Sequence, residues 1–446
     1  MSLRPLAGLF AALLAFGAPS AEAAAPTVPD ADRIVTRTLD NGLKIIVWPD
    51  HDIPNVALYT WYRAGGRNEY PGITGIAHYF EHMMFNGTKN LAPGEFDRDM
   101  EAHGGSNNAY TSNDVTVYQD WFPATALERI FELEGDRMAN LDFDPKVVES
   151  ERQVVYSERR SRVDNDNFGA LIEQLQATAY VAHPYQFPVI GWPSDIEAWR
   201  IDQLQDFYKT YYAPNNATML VVGAVDPEQI FALAEKHIGP IPSQPPPHAV
   251  TTVEPEQKGE RRIVVRKEAQ TPLLMMAWHA TSAAHEDTPA LEMLLAILTR
   301  GESSRLHREL VEDTQTVLQV GGFLRGGFDP GLFNLYATLP PGGDLATVES
   351  RIGAQLQRIA KEGVSEAELA KVRKQMLANF WRGIATISGK AQTLGSFEVF
   401  HGDYRKLFAA PDLYAKVSSA DIQRVAAKYL HDDNRTVGHL LPKSGN

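Results

Sequence analysis

The chain has 446 residues, of which 44% are hydrophobic and 22% are charged, and this composition is typical of a folded globular protein. Its formal charge of −14 argues against a broad basic surface, so no nucleic-acid partner is expected. The chain has no cysteine, which excludes disulfide scaffolds, iron–sulfur clusters, cysteine nucleophiles and thiolate zinc sites.

The first 23 residues have the pattern of a secretory signal peptide. Arg4 precedes an apolar run over residues 6–16, and Ala21-Glu22-Ala23 forms an A-x-A cleavage pattern. A permanent membrane anchor or a frayed hydrophobic tail is the alternative, but the run is shorter than the roughly 20 residues that span a bilayer. We therefore expect cleavage after residue 23, a periplasmic location and a mature chain with no membrane span.

The first half of the mature chain, residues 24–239, is predicted to contain both strands and helices, grouped in runs. Asn41-Gly42 is typical of the tight turn of a hairpin. The hairpin is predicted over residues 38–47, further strands over 56–62 and 114–118, and helices over 73–85, 127–140 and 145–160.

A proline-rich segment, PIPSQPPP at residues 240–247, predicts a semi-extended linker over 240–260. The second half, residues 261–446, is predicted to repeat the plan of the first. Shifting the first half by 218 positions (422 − 204 = 218) matches an amphipathic helix, a polar turn and an apolar strand with a similar unit near the C-terminus. The matching pairs are Leu204 and Ile422, Phe207 and Val425, Tyr211 and Tyr429, Asn216 and Asn434, and Thr218 and Thr436.

In the second half we expect helices over 288–299, 345–360 and 366–380, and strands over 317–323 and 332–339. Ser365 and Glu368 form a capping-box pattern at the start of the last helix. The fold class is therefore predicted as α+β, with two homologous sandwich domains. Each would have a mostly antiparallel sheet and helices packed on one face.

The clearest chemical signal is His78-Tyr79-Phe80-Glu81-His82, an H-x-x-E-H pattern within a predicted helix. Residues four apart lie on one helix face, so both imidazoles can reach one metal ion. Zinc accepts two imidazoles and a carboxylate and leaves a position for water, whose proton Glu81 could accept. The alternative is two surface histidines on an amphipathic helix.

A third ligand is expected on the helix predicted over 145–160, which contains Glu149, Glu151 and Glu158. Glu151 and Glu158 are seven residues apart and share one face, two turns from each other. From the spacing alone, a solvated carboxylate face is the stronger interpretation.

Five segments together resemble the inverted-motif zinc peptidases, which include pitrilysin, insulin-degrading enzyme and the mitochondrial processing peptidase, with short two-domain bacterial relatives. The segments are residues 39–43 (LDNGL), 63–69 (RAGGRNE), 75–88 (GIAHYFEHMMFNGT), 105–111 (GSNNAYT) and 151–158 (ERQVVYSE). The resemblance covers most of the first half, and the repeated domain plan extends it to the whole chain.

This resemblance implies a role for each matching residue. His78, His82 and Glu158 should bind one Zn²⁺ per chain, with Glu81 as the general base. Glu151 should not bind the metal itself but should orient a ligand histidine.

The same resemblance implies that Asn108, Ala109 and Tyr110 belong to an edge strand on which an extended peptide substrate lies. An edge strand offers unpaired backbone groups, so a peptide can add to the sheet as a further strand. The alternative is an ordinary strand with no role in binding.

The second half departs from the resemblance at one point. Active members carry an Arg and a Tyr, seven residues apart, that hold the substrate carbonyl, and here these positions are Val311 and Leu318. A shifted donor such as Arg308 is the alternative. We therefore expect a catalytic subunit that requires a homologous partner carrying the Arg/Tyr pair, in a heterodimer.

The leading hypothesis is a periplasmic zinc metalloendopeptidase subunit acting on unfolded peptides. A non-catalytic peptide-binding or structural subunit of the same fold is the first alternative, and a zinc-binding scavenger without turnover is the second.

Overall fold

The computed structural model describes residue 28 and residues 31–443. The predicted signal peptide lies outside the described residues. None of the helices within the described part combines the length and apolar character needed to cross a bilayer.

The strands form two sheets, one from each half of the chain. The strands of the first sheet are β1 (Val35–Thr38), β2 (Lys44–Pro49), β3 (Asn55–Tyr62), β4 (Ser106–Thr111), β5 (Thr116–Pro123) and β6 (Ala217–Gly223). Those of the second are β7 (Arg261–Lys267), β8 (Leu273–His279), β9 (Gln319–Arg325), β10 (Leu332–Thr338) and β11 (Arg435–Pro442).

The two sheets share one topology. The strand orders are β1-β2-β6-β3-β5-β4 and β7-β11-β8-β10-β9. The only parallel pairs among the described strands are β2 with β6 and β7 with β11, and all other neighbours are antiparallel. The last strand of each half thus returns to the middle of its own sheet, as expected for homologous domains.

The helices of the first half are α1 (Ile76–Met83), α2 (Glu95–Ala102), α3 (Leu127–Asn140), α4 (Pro145–Arg159), α5 (Asn167–Ala179), α6 (Pro193–Ala198), α7 (Ile201–Tyr211) and α8 (Pro227–His237). Those of the second half are α9 (Thr288–Thr299), α10 (Leu345–Glu362), α11 (Glu366–Gly383), α12 (Ile387–His401), α13 (Ala410–Lys416) and α14 (Ser419–Tyr429). The α+β class with two sandwich domains is confirmed.

The 218-residue repeat holds in three dimensions. α7 and α14 start 218 residues apart (419 − 201 = 218), as do β6 and β11 (435 − 217 = 218). Asn216 donates its side-chain amide to the carbonyls of Arg63 and Tyr211, and Asn434 donates to those of His279 and Tyr429. Equivalent asparagine amides therefore connect the turn before the last strand to the neighbouring strand in both halves.

Both faces of each sheet are covered, as the alternating side chains of β8 illustrate. In β8, Leu274, Met276 and Trp278 join the core beneath α9 and α10, while Met275 and Ala277 face the other way and are also buried. Side chains alternate along a strand, so a strand that is apolar at every position must be covered on both faces.

The second face of each sheet is covered by a helix from the opposite half. α5 places Leu171 and Leu175 against the second sheet. α12 places Ala391 and Leu394 against the outer face of the first sheet, which includes Trp48 and Trp61.

Ion pairs hold α12 in place on the first sheet. Lys44 on β2 contacts Glu398, and Lys390 contacts Asp50, each at 2.5 Å. The two halves therefore exchange helices reciprocally, which the sequence patterns did not predict.

Candidate active site

α1 begins later than predicted because a buried carboxylate caps its first turn. Glu69 accepts hydrogen bonds from the backbone N–H groups of Gly75 and Ala77, at 2.7 and 2.8 Å. Gly75 has a φ of 86°, a left-handed conformation suited to glycine, and a Cβ there would lie 2.6 Å from the carbonyl oxygen of Ile190. The predicted helix over 73–85 is therefore limited to Ile76–Met83, which retains the whole H-x-x-E-H pattern.

His78, His82 and Glu158 converge at one point, with one ligand atom of each within 4.8 Å of the others. Glu158 Oε2 lies 3.5 Å from His78 Nε2 and 3.3 Å from His82 Nε2. Ligands at about 2.0–2.1 Å from a tetrahedral zinc ion lie roughly 3.3 Å apart, so the separations and the donor types both fit zinc. α4 delivers Glu158 from 76 residues away (158 − 82 = 76).

Two of the three converging side chains, His82 and Glu158, are held by further side chains. Glu151 Oε1 lies 2.7 Å from His82 Nδ1, and Asn86 donates to Glu151 Oε2 at 2.8 Å. Arg162 Nε contacts Glu158 Oε1 at 3.0 Å, so the opposite oxygen of that carboxylate faces the imidazoles. Such contacts fix the orientation of metal ligands.

Burial and neighbouring charges shift the pKa values of the three converging groups. Burial and the neighbouring His82 lower the pKa of His78 to about 4. Burial also opposes a charge on His82, but its bonds with Glu151 and Glu158 prevail and raise its pKa to about 9. The bond with His82 keeps the pKa of Glu158 below its usual value, so this carboxylate is ionised at neutral pH.

Glu81 points toward the first sheet instead of joining the three converging groups. Its Oε2 accepts a hydrogen bond of 2.6 Å from the Thr111 hydroxyl at the end of β4. Burial raises the pKa of Glu81, and the Thr111 bond partly opposes that rise. A carboxylate with a raised pKa beside the three converging groups is suited to accept and return a proton.

Asn108, Ala109 and Tyr110 lie on β4, an edge strand of the first sheet, as expected. The Tyr110 hydroxyl accepts a hydrogen bond of 2.8 Å from Gln392 on α12, and its ring packs edge-on against Trp61. A helix of the second half therefore fixes this strand. Whether the three residues bind substrate stays a prediction.

A cavity of about 710 Å³ opens beside this strand, and both halves line it. His78 and Glu158 lie on its wall, with Tyr110 from β4 and Phe323 from β9. The volume lies within the usual range for ligand sites.

Val311 and Leu318 do not belong to the described residues that line this cavity, and neither does Arg308, the alternative donor. Leu318 is 59% exposed. The guanidinium groups on the cavity wall belong to Arg162 and Arg325.

Sequence reasoning missed Asn86, Thr111 and Arg162. Asn86 and Arg162 each follow a predicted ligand by four residues, one helical turn, so that spacing was an available signal. Thr111 reaches Glu81 from a different element, and no local pattern indicates the contact.

Two family profiles match the chain. Residues 45–191 match "Insulinase (Peptidase family M16)", and residues 198–376 match "Peptidase M16 inactive domain". The first match contains all the residues of the candidate site.

Known proteins resemble nearly the whole chain. The "Zinc protease PqqE" of Helicobacter pylori is 33% identical over 417 residues, which cover 91% of this chain and 92% of the relative. The probable mitochondrial-processing peptidase subunit beta of Arabidopsis thaliana is 23% identical, covering 91% of this chain and 78% of the relative.

Solved structures also resemble nearly the whole chain. A protease from H. pylori superposes with a TM-score of 0.89 at 32% identity, covering 92% of this chain and 99% of the other. The periplasmic protease PqqL from Escherichia coli shares the fold, with a TM-score of 0.77 at 19% identity, and 93% of this chain matches 48% of PqqL.

Proposed function

The chain belongs to peptidase family M16, and from that premise we propose that it is the catalytic subunit of a zinc metalloendopeptidase that hydrolyses unfolded peptides. The observation that carries the proposal is the convergence of His78, His82 and Glu158, with the Glu81 carboxylate on the same helix. A structural subunit of the same fold has no need of this arrangement.

In the proposed mechanism, His78, His82 and Glu158 hold the zinc ion, which would polarise a substrate carbonyl and make water a stronger acid. Glu81 accepts a proton from the attacking water and passes it to the leaving amine. Its raised pKa suits both steps, and the Thr111 hydroxyl keeps the carboxylate aimed between the metal ligands and β4. Glu151 and Arg162 hold two of the ligands in place.

We further propose that substrate adds to β4 as an extended strand along Asn108, Ala109 and Tyr110. Pairing through backbone groups requires an unfolded segment and gives loose sequence specificity. The edge position of β4 and the adjacent cavity lined by both halves support this placement.

The proposed partner is a homologous subunit that supplies the missing Arg and Tyr, since Val311 and Leu318 offer no side-chain donor. The match of this chain to about half of PqqL fits an enzyme built from two such two-domain units. A periplasmic location is proposed from the signal-peptide pattern and agrees with the name given to PqqL.

The test uses the mature chain with zinc and an unstructured fluorogenic peptide, alone and with its homologous partner. Glu81→Gln should retain one zinc per chain and lose cleavage by at least about 10²-fold, because the proton acceptor is removed. Glu101→Gln, an equal charge change at an exposed position of α2, should cleave normally.

Two results would contradict the proposal. Cleavage that survives in Glu81→Gln would remove Glu81 from the chemistry. Zinc binding without cleavage, even with the partner present, would favour the non-catalytic subunit.

A further inference from the structure

The cavity beside the candidate site contains one charged group that the proposed mechanism does not use. Arg325 is the last residue of β9, an edge strand of the second sheet, and lies on the wall of the same cavity as His78 and Glu158. Its side chain is accessible to solvent, yet the surrounding protein lowers its pKa by burial. The guanidinium of Arg325 is therefore partly withdrawn from water by the surrounding protein but remains open to the cavity.

The other charged residues on the cavity wall all have partners. Arg162 and Glu158 contact each other. Asp114 lies 3.3 Å from Arg67, and Glu173 accepts from Arg159 at 2.7 Å.

Arg325 has no carboxylate within 4.0 Å among the residues that the structure describes. A guanidinium on a cavity wall with no carboxylate beside it can accept a ligand carboxylate.

The guanidinium of Arg325 is held in place by neutral groups. Its Nη1 donates to Gln176 Oε1 at 3.3 Å, and the ring of Phe323 lies 5.1 Å from its central carbon. Gln176 in turn donates its amide nitrogen to the carbonyl of Tyr185, which fixes the direction of its oxygen. Arg325 is thus oriented by α5 of the first half while its remaining N–H groups are left for a ligand.

We propose that Arg325 forms a carboxylate-binding subsite for the peptide substrate at the β9 side of the cavity. The proposal rests on the peptidase function proposed above and deepens it by assigning a charge preference. A planar guanidinium binds a carboxylate through two parallel hydrogen bonds. Two sources share this chemistry: the C-terminal carboxylate of a peptide, and an acidic side chain within one.

The experiment measures binding to the zinc-loaded Glu81→Gln chain, so that peptides remain intact. The probes are ten-residue unstructured peptides with an uncharged fluorophore. One is neutral with an amidated C-terminus, one is neutral with a free C-terminal carboxylate, and a set is amidated with a single Glu at successive positions. At least one carboxylate peptide should bind about tenfold more tightly than the neutral amide. The peptide that gains affinity identifies the source.

Adding Arg325→Gln should abolish this difference while leaving the affinity for the neutral amide unchanged. Arg325→Lys retains the charge without the planar fork and should give an intermediate preference, which also serves if the glutamine variant folds poorly. Arg358→Gln makes the same charge change at an exposed position of α10 and should retain the full preference.

Equal affinities of all the peptides for the parent chain would overturn the subsite, as would a preference that persists in Arg325→Gln. These outcomes are separate from the test of peptidase activity. Cleavage without charge preference would leave the proposed function and remove the subsite. A carboxylate preference that depends on Arg325, in a chain that never cleaves, would support the subsite and contradict the proposed peptidase function.

Discussion

Gly395, within α12, is where a single methyl group should disturb the packing between the two halves. A Cβ at this position would lie 2.2 Å from Trp61 Nε1 and 2.3 Å from Trp61 Cε2. Ordinary carbon–carbon contacts begin at about 3.5 Å, so the helix or the indole must move by about 1.2 Å (3.5 − 2.3 = 1.2). The indole is rigid and only 1% exposed, so it has little room to move.

The expected free-energy change for Gly395→Ala combines two opposing effects. Overpacking a buried site costs up to about 3 kcal/mol. Alanine in place of glycine within a helix stabilises the fold by about 1 kcal/mol, so the net loss in the free energy of unfolding is about 2 kcal/mol.

Gly353, within α10, is the matched control, because a Cβ there meets nothing within 4 Å. Gly353→Ala should therefore stabilise the protein by about 1 kcal/mol, and the same substitution has opposite signs at the two sites.

The assay is urea denaturation of the mature chain, with unfolding monitored by tryptophan fluorescence. Gly395→Ala should lower the midpoint relative to the parent, and Gly353→Ala should raise it. Trp61 and Tyr110 both line the cavity beside the candidate active site, so under the proposed function Gly395→Ala should also weaken peptide binding. A midpoint for Gly395→Ala at or above that of the parent would refute the packing argument.

Two further predictions concern single carboxylates. Glu151→Gln should weaken zinc binding about 10- to 100-fold in a chelator competition, because His82 loses its anchoring carboxylate. Glu149→Gln, on the exposed side of the same helix, is the control and should bind zinc as the parent does. Equal zinc affinities of the two variants would exclude the role of Glu151. The bond from Arg305 lowers the pKa of Glu368 to about 2. Because the folded pKa lies below the ordinary 4.5, this stabilisation is complete above about pH 4.5 and is lost as the pH falls toward 2. Glu368→Gln retains a capping-box side chain and should make unfolding in acid less steep over that range; an unchanged acid profile would contradict this.

Local rules were sufficient for part of the candidate site. His78 and His82 share a helix face because they are four residues apart, so their convergence followed from the sequence. Glu158 is far away in the chain, and only the resemblance to known peptidases selected it over Glu149 and Glu151.

The tertiary contacts could not be predicted in this way. Thr111 contacts Glu81 only because β4 passes beside α1, and Gln392 reaches Tyr110 only because α12 crosses between halves. The hydrophobic pattern of a helix indicates that one face is buried but does not identify the sheet that buries it.

The reciprocal exchange of α5 and α12 also constrains the order in which the chain can fold. During synthesis the outer face of the first sheet, with Trp48 and Trp61, stays uncovered until residues 387–401 are available, near the end of the chain. The first half therefore cannot complete its structure before the second half is made. An apolar sheet surface exposed for that long is a target for aggregation and for chaperones. In the finished molecule, pulling either helix away strips the sheet of the opposite half, so the two halves should lose their structure together.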